Sequence, residues 1–235
     1  MKIYFQLSFF LFFLQEHFVQ VMSDVDEENI KNYGQIPSQL ELYRSLFKQK
    51  RAEQMMAVES IIKMEKYEKR YQIINMIFEK ILKTVQEAKN EIVTSGYIAG
   101  DEFPDEQKQK EAIGNIVENT AFLGDIVLRS PDIAHKLFAR NKEWKLLTLW
   151  SLSFTNNTRI YDDTDSKLLH LMAQELNLIP RDANYFNPFS DKAKIKNSEY
   201  ERKTQKETQN SSKHETKRDK KKKKSKGPRL SHAEL

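Results

Sequence analysis

Residues able to perform chemistry are few and widely spaced in this chain. There is no cysteine, which excludes a disulfide framework, an iron–sulfur cluster, a Cys-ligated zinc and a thiol nucleophile. His135 and His170 lie in the central part of the sequence, and neither belongs to an HExxH pair. No glycines have the spacing of a phosphate-binding loop. We therefore expect no enzyme activity, no metal and no cofactor.

Two local patterns resemble functional sites but favour structural roles. A histidine beside apolar helix neighbours is more often a partly buried structural residue, and we expect this of His135 and His170. The acidic run at residues 162–165 resembles the start of a calcium loop. However, Lys167 stands at the fifth position and Gln174 stands where a bidentate glutamate is needed. The run therefore predicts a helix cap, at Thr164 or at Asp165.

Two N-x-S/T sequons are the modification sites that the sequence offers. Asn156 begins the first, directly after an apolar segment, and Asn210 begins the second, near the carboxyl end. Short sequons also arise by chance, and Asn156 or Asn157 would alternatively serve as a C-terminal helix cap. In a chain that enters the secretory pathway both sequons become usable, so we predict glycosylation at Asn156 and Asn210.

The amino end has the pattern of a secretory signal peptide. A lysine is followed by about a dozen mostly apolar residues before a polar interruption at residues 15–17. A membrane-spanning helix needs roughly 20 apolar residues, so we expect no stable membrane span. Small-residue preferences place the cleavage between Ser23 and Asp24, giving a signal peptide of residues 1–23. The alternative is a buried first helix.

The carboxyl end resembles the KDEL/HDEL retrieval signal of the endoplasmic reticulum (ER). It consists of His232, Ala233, Glu234 and Leu235. Alanine in place of aspartate removes one charge and would weaken retrieval, so partial secretion is expected. The two terminal signals imply one compartment, the ER lumen, and one partner, the receptor that reads the retrieval signal.

A strongly basic segment precedes this signal. Residues 191–235 hold 16 basic and 7 acidic side chains, a net charge of +9, and few apolar ones. Such a composition predicts disorder, because little burial offsets the chain entropy. Lys220–Lys224 would elsewhere suggest a nuclear signal or a nucleic-acid patch. In a lumenal chain we expect no nucleic-acid partner, and the segment is a spacer or an arm for acidic partners.

Between the two ends, hydrophobic periodicity predicts an all-α domain over residues 38–190, preceded by a flexible segment at residues 24–37. Residues 38–95 lack internal glycine and proline and predict one long helix or two. Further helices are predicted near residues 105–128, 131–140 and 143–154, and from about residue 164 to Leu176. The segment 143–154 is apolar nearly all round and is expected at the centre of the core. The prediction is a single compact bundle of five to seven helices.

Several strings in this domain resemble the coiled-coil domain-containing protein 134 family. They are VENTAFLGDIVLR at residues 117–129, LMAQEL at 171–176 and NPF at 187–189. The resemblance spans roughly residues 40–189 and includes the basic tail with its terminal Glu-Leu. It implies a non-enzymatic lumenal glycoprotein that associates with the chaperone endoplasmin and protects it from hyperglycosylation during folding and maturation. The departures are the lack of cysteine and the terminal HAEL.

Two other functional classes remain open from the residues alone. A secreted helical signalling ligand also fits a bundle without a catalytic site and with an imperfect retrieval signal. A nuclear binding protein rests only on the lysine run and requires the signal peptide to fail. For the adaptor, residues 24–190 carry a net charge of −4, too little for strong long-range attraction, so recognition is expected through contacts. The helical stretch 38–95 is the predicted partner face.

Overall fold

The computed structural model describes residues 38–191 and residue 193. Within them the chain forms six α-helices and no strand, which confirms the predicted all-α bundle. In chain order, the helices are α1 (Gln39–Ile62), α2 (Tyr67–Ser95), α3 (Gln107–Arg129), α4 (Pro131–Arg140), α5 (Lys142–Asn157) and α6 (Asp163–Glu175).

The chain divides into two compact units, Met1–Tyr185 and Phe186–Leu235. All six helices belong to the first unit. In the second, a short turn precedes helical residues 191 and 193. In this turn the Phe189 N–H donates to Asn187 Oδ1 at 2.9 Å, and Ser190 Oγ donates to the Asn187 carbonyl at 2.9 Å.

The stretch 38–95 forms two helices rather than one. Ser38 starts α1 with a capping box, since its hydroxyl accepts from the Glu41 N–H while Glu41 Oε2 accepts from the Ser38 N–H at 2.8 Å. Four residues after Ile62 separate α1 from α2, at the charged segment where the hydrophobic stripe is interrupted. Gly96 ends α2 in the left-handed conformation, with φ of 73°, which glycine adopts without steric cost.

Helix α3 is the central element of the bundle. It packs against each of the other five helices, and 14 of its 23 residues are buried. Small residues let its neighbours approach closely. A Cβ atom on Gly124 would lie 3.3 Å from Leu168 Cγ of α6.

The prediction that segment 143–154 lies at the centre of the core is wrong. Leu146 and Leu149 of α5 are 72% and 44% exposed. Helix α5 buries a face of mostly small and hydroxyl-bearing residues instead, namely Thr148, Ser151, Leu152, Phe154 and Thr155. Because α5 is apolar on nearly every side, its composition did not specify which face would be buried.

Aromatic contacts hold two regions of the core. In the first, Phe78 of α2, Phe138 of α4 and Trp144 of α5 form edge-to-face pairs with ring centroids 5.8–6.3 Å apart. In the second, Phe47 of α1 stacks on Tyr161 at 5.2 Å. Each such pair contributes about 0.5–1.5 kcal/mol beyond its area burial, so the aromatics fix the packing of α1, α2, α4 and α5.

The acidic run 162–165 is a helix cap, as predicted, but the capping residue is Asp162 rather than Thr164 or Asp165. Asp162 Oδ1 accepts from the N–H groups of Thr164 at 2.8 Å and Asp165 at 3.0 Å. Backbone hydrogen bonding, with the Asp165 N–H contributing most, lowers the pKa of Asp162. The residue before the helix satisfies its free amides, so the cap lies two or three positions earlier than predicted.

Candidate functional site

The predicted modification site Asn156 lies in the last turn of α5 with its side chain exposed. The alternative role, a C-terminal cap at Asn156 or Asn157, is wrong because Thr158 occupies the cap position. The Asn157 side chain donates instead to the Ser153 carbonyl at 2.9 Å. The third residue of the sequon, Thr158, is buried, and its hydroxyl donates to the Thr155 carbonyl at 2.7 Å. The acceptor amide therefore faces solvent while the threonine does not.

The other predicted sites lie outside the described residues. These are the cleavage position at Ser23 and Asp24, the sequon at Asn210, and the retrieval signal formed by His232, Ala233, Glu234 and Leu235.

The predicted partner face, now divided between α1 and α2, presents apolar side chains to solvent. Met56 of α1 is 61% exposed, and Met76 and Val93 of α2 are 49% and 67% exposed. Methionine is flexible and polarisable, and it is common on surfaces that adapt to a partner.

The two central histidines have different surroundings. His135 is partly buried as predicted, and its Nε2 lies 2.8 Å from Oε1 of the buried Glu175. The same prediction is wrong for His170, which is exposed and whose Nε2 lies 3.2 Å from Asp182 Oδ2. Across residues 38–191 and 193, no three His, Cys, Asp or Glu side chains are grouped so that they could hold a metal ion.

Sequence reasoning missed a buried ionic network between α1, α3 and α6. Asp125 of α3 forms ion pairs with Arg51 of α1 and Arg129 of α3, each at 2.6 Å, and its side chain is 3% exposed. Arg51 also pairs with Asp165 of α6 at 3.2 Å and donates to Gln54 at 2.8 Å. One arginine therefore joins three helices through carboxylates and an amide.

A second buried carboxylate, Glu118, lies on α3 seven residues before Asp125. The Tyr43 hydroxyl donates to Glu118 Oε1 at 3.3 Å, and the Gln54 amide donates to the Glu118 carbonyl at 3.0 Å. Burial raises the pKa of Glu118 to about 7, although the charge of Lys50 and the Tyr43 hydrogen bond oppose the rise. Burial correspondingly lowers the pKa of Lys50. Glu118 thus titrates near neutral pH inside the bundle.

The sequence did contain a signal for this network. Glu118 and Asp125 are acidic residues seven positions apart, two helical turns, in a stretch that is otherwise mostly apolar. Charged residues on the buried face of a helix are almost always paired. The pairing partner Arg51 could not be chosen, because α1 carries several cations.

No helix among the described residues has the length and apolar character required to cross a bilayer. Together, the fold and these contacts define a class: a small all-α protein whose central helix carries paired, buried carboxylates.

Comparison with known proteins assigns the family. A family model described as "ERK and JNK pathways, inhibitor" matches residues 29–231, so the chain belongs to that family. Coiled-coil domain-containing protein 134 of Mus musculus is 34% identical over 151 residues, and that of Xenopus tropicalis is 36% identical over 150 residues. These matches cover 64% and 63% of this chain and confirm the family recognised from the sequence. The matched region spans 66% of each relative, just under two thirds of its length. No solved structure matches.

Proposed function

We propose that this protein is a non-enzymatic adaptor of the ER lumen that associates with endoplasmin and protects it from hyperglycosylation while it matures. The observation that carries the proposal is the match to coiled-coil domain-containing protein 134, whose family resemblance implies this role. The predicted signal peptide and the retrieval-type carboxyl end support the lumenal address.

The surface of the helical unit supports a binding role. Met56, Met76 and Val93 lie on the two longest helices and are available to a partner. The ionic network around Asp125 keeps α1, which carries Met56, attached to α3. Helix α2, which carries Met76 and Val93, also packs against α3, so these side chains are held on a defined scaffold. A partner would then recognise shape and apolar contact more than net charge.

The sequon geometry sets an order of events. Glycosylation requires the threonine of the sequon to be read together with the asparagine. Because Thr158 is buried and hydrogen-bonded in the folded protein, glycan addition at Asn156 would precede the folding of α5. The exposed Asn156 side chain then leaves room for the glycan after folding.

The address and the glycan can be tested together. The tagged full chain should co-fractionate with lumenal ER markers, and digestion with an endoglycosidase should lower its mass. Asn156→Gln should remove one glycan-dependent mass shift, whereas Asn157→Gln, one residue away on the same helix end, should retain it. An unglycosylated cytosolic pool that holds most of the protein would contradict the proposal.

A second candidate is a secreted helical ligand that lowers signalling through the ERK and JNK pathways. The description of the family model favours it, and the imperfect retrieval signal allows secretion. The carboxyl end discriminates the two. If retrieval holds the protein in the lumen, Glu234→Ala or one residue added after Leu235 should raise secretion strongly. Equal secretion before and after the change favours the ligand.

A further inference from the structure

The start of α2 and the end of α4 together form a cationic surface around two tyrosines. The Lys136 ammonium donates to the Tyr67 hydroxyl at 2.8 Å, and the Arg140 guanidinium donates to the Tyr71 hydroxyl at 3.0 Å. The Arg70 guanidinium lies 5.9 Å from the centroid of the Tyr67 ring. We call these five residues the tyrosine–cation patch.

Two charges in this patch have no carboxylate partner among the residues that the structure describes. Within the described residues, Arg70 contacts the carbonyl oxygens of Ile62 and Met64 and the Tyr67 ring, while Arg140 contacts only Tyr71. Neither arginine forms an ion pair there, in contrast to Arg51 and Arg129 in the core. A guanidinium has five N–H donors, so Arg140 keeps most of its donors for a ligand.

The first turn of α2 adds its amide groups to the patch, and it also carries Glu68. Its cap position is Lys66, which has no acceptor atom and makes no side-chain hydrogen bond to the helix amides. The first amides of α2 are therefore available to an external acceptor, and the helix dipole favours an anion there. Tyr67, the first residue of α2, is 36% exposed. Because the Lys136 ammonium donates to its hydroxyl, the helix end and the cations lie side by side.

The chemistry of the patch favours carboxylates on a polypeptide. Arginine guanidinium groups and free helix amides both bind carboxylates, and tyrosine rings provide apolar contact beside them. Membrane surfaces are bound by clusters of four to eight cations. Here Glu65, Glu68 and Asp132 separate the cations in sequence, so the patch offers spaced cationic positions rather than the continuous cationic row that suits a phosphate surface.

The acidic residues 24–28 of this chain are a poor occupant. Arg70 contacts the end of α1, whereas Ser38 marks its start, and a helix of 24 residues is about 36 Å long. The ten residues from Glu28 to Ser38 reach about 33–36 Å only when fully extended. Occupation from within the chain would therefore need a straight strand along the whole of α1.

We propose that the tyrosine–cation patch is a docking surface for an acidic, extended segment of a partner polypeptide. The arginines and the α2 amides bind the carboxylates, and the Tyr67 ring contacts the segment between them. This inference depends neither on the lumenal address nor on endoplasmin.

The test measures binding of a short, fluorescein-labelled, glutamate-rich peptide to the full chain at about 0.15 M ionic strength. Lys136→Glu with Arg140→Glu should weaken binding about tenfold or more, because charge reversal at a contact surface adds repulsion to lost attraction. Lys80→Glu with Lys108→Glu is the matched control, since both lysines are exposed and the net charge changes equally. It should change the affinity less than about threefold.

Equal weakening by both pairs of substitutions would overturn the proposal and assign binding to overall charge. The proposal would also be overturned if phosphatidylserine vesicles bind to the patch and the peptide does not. So would about tenfold tighter peptide binding after Asp24, Asp26, Glu27 and Glu28 are neutralised, because residues 24–28 would then be the occupant.

A second measurement needs no substituted protein and covers the case in which the charge-reversed chain does not fold. A photoreactive glutamate-rich peptide is crosslinked to the unmodified full chain and the sites are mapped by mass spectrometry. Crosslinks in residues 66–71 and 136–140 support the proposal. Crosslinks confined to residues 191–235 contradict it.

Discussion

At the scale of single residues, one buried ionic network joins three helices of the bundle. Asp125 is acceptable inside the protein only because two arginines neutralise it, both at 2.6 Å. Arg51 carries that constraint to α1 and α6, so removing one group affects three helices. Exposed pairs such as Lys63–Glu59 carry no such constraint.

Asp125→Ala should lower the free energy of unfolding by about 3–5 kcal/mol, because Arg51 and Arg129 are left without their buried counter-charge. Urea denaturation followed by circular dichroism measures the change. Glu59→Ala is the control, since its pair with Lys63 is exposed and should contribute less than about 0.5 kcal/mol. Similar effects of the two substitutions would show that the network contributes little.

Glu118 makes a pH-dependent contribution to stability. Its pKa is raised from 4.5 to about 7 by burial, so the folded protein holds this proton more tightly than the unfolded chain. The contribution is fully present below about pH 4.5 and is lost as the pH rises through about 7, a change on the order of 3 kcal/mol. The titratable groups that interact with Glu118 are Tyr43, Lys50 and Glu53 of α1, together with Tyr161.

Glu118→Gln should abolish this part of the pH dependence while the amide oxygen keeps an acceptor for Tyr43. The measurement is the difference in unfolding free energy between the two proteins from pH 4.5 to pH 8. As the pH rises, the variant should become more stable relative to the unmodified protein. A constant difference would mean that Glu118 does not titrate in this range.

At the scale of elements, the sequence specified the helices well and their burial less well. Periodic apolar residues, Pro131 and Gly96 predicted which segments are helical, because propensity and capping are local. The burial of α5 was not predictable, since its apolar residues surround the helix and packing partners decide which face is covered. The central role of α3 follows from its small residues, which allow close approach by several helices.

Close approach at Gly124 gives a prediction for one helix pair. Gly124→Val should destabilise the protein by about 1–3 kcal/mol, because the added Cβ atom alone would lie 3.3 Å from Leu168 Cγ and 3.5 Å from Met172 Sδ. Thermal unfolding measures the loss. Ala139→Val, at an exposed position of α4, isolates the cost of a β-branched residue in a helix, which is at most about 0.7 kcal/mol. A smaller effect at Gly124 than at Ala139 would show that α6 moves aside freely.

At the scale of the whole molecule, the candidate sites were predictable only where they depend on short motifs. The sequon at Asn156 is visible in three residues, and its exposure agrees with its place at the end of α5. The tyrosine–cation patch was not predictable, because Tyr67 and Lys136 are 69 residues apart and meet only through the packing of α2 and α4. Long-range pairing of this kind requires the tertiary structure.

We propose that association with endoplasmin occurs through the helical unit. Its most direct test is capture of endoplasmin from ER lumen, at moderate salt, by two forms of the tagged protein. One form is the full chain, and the other ends at Phe189 and then carries the four residues of the retrieval signal. We predict that both forms capture endoplasmin, because residues 24–190 have a net charge of only −4 and would have to recognise a partner through contacts rather than long-range attraction. Failure of the shortened form, with its helical circular dichroism intact, would contradict the account and assign recognition to the basic tail.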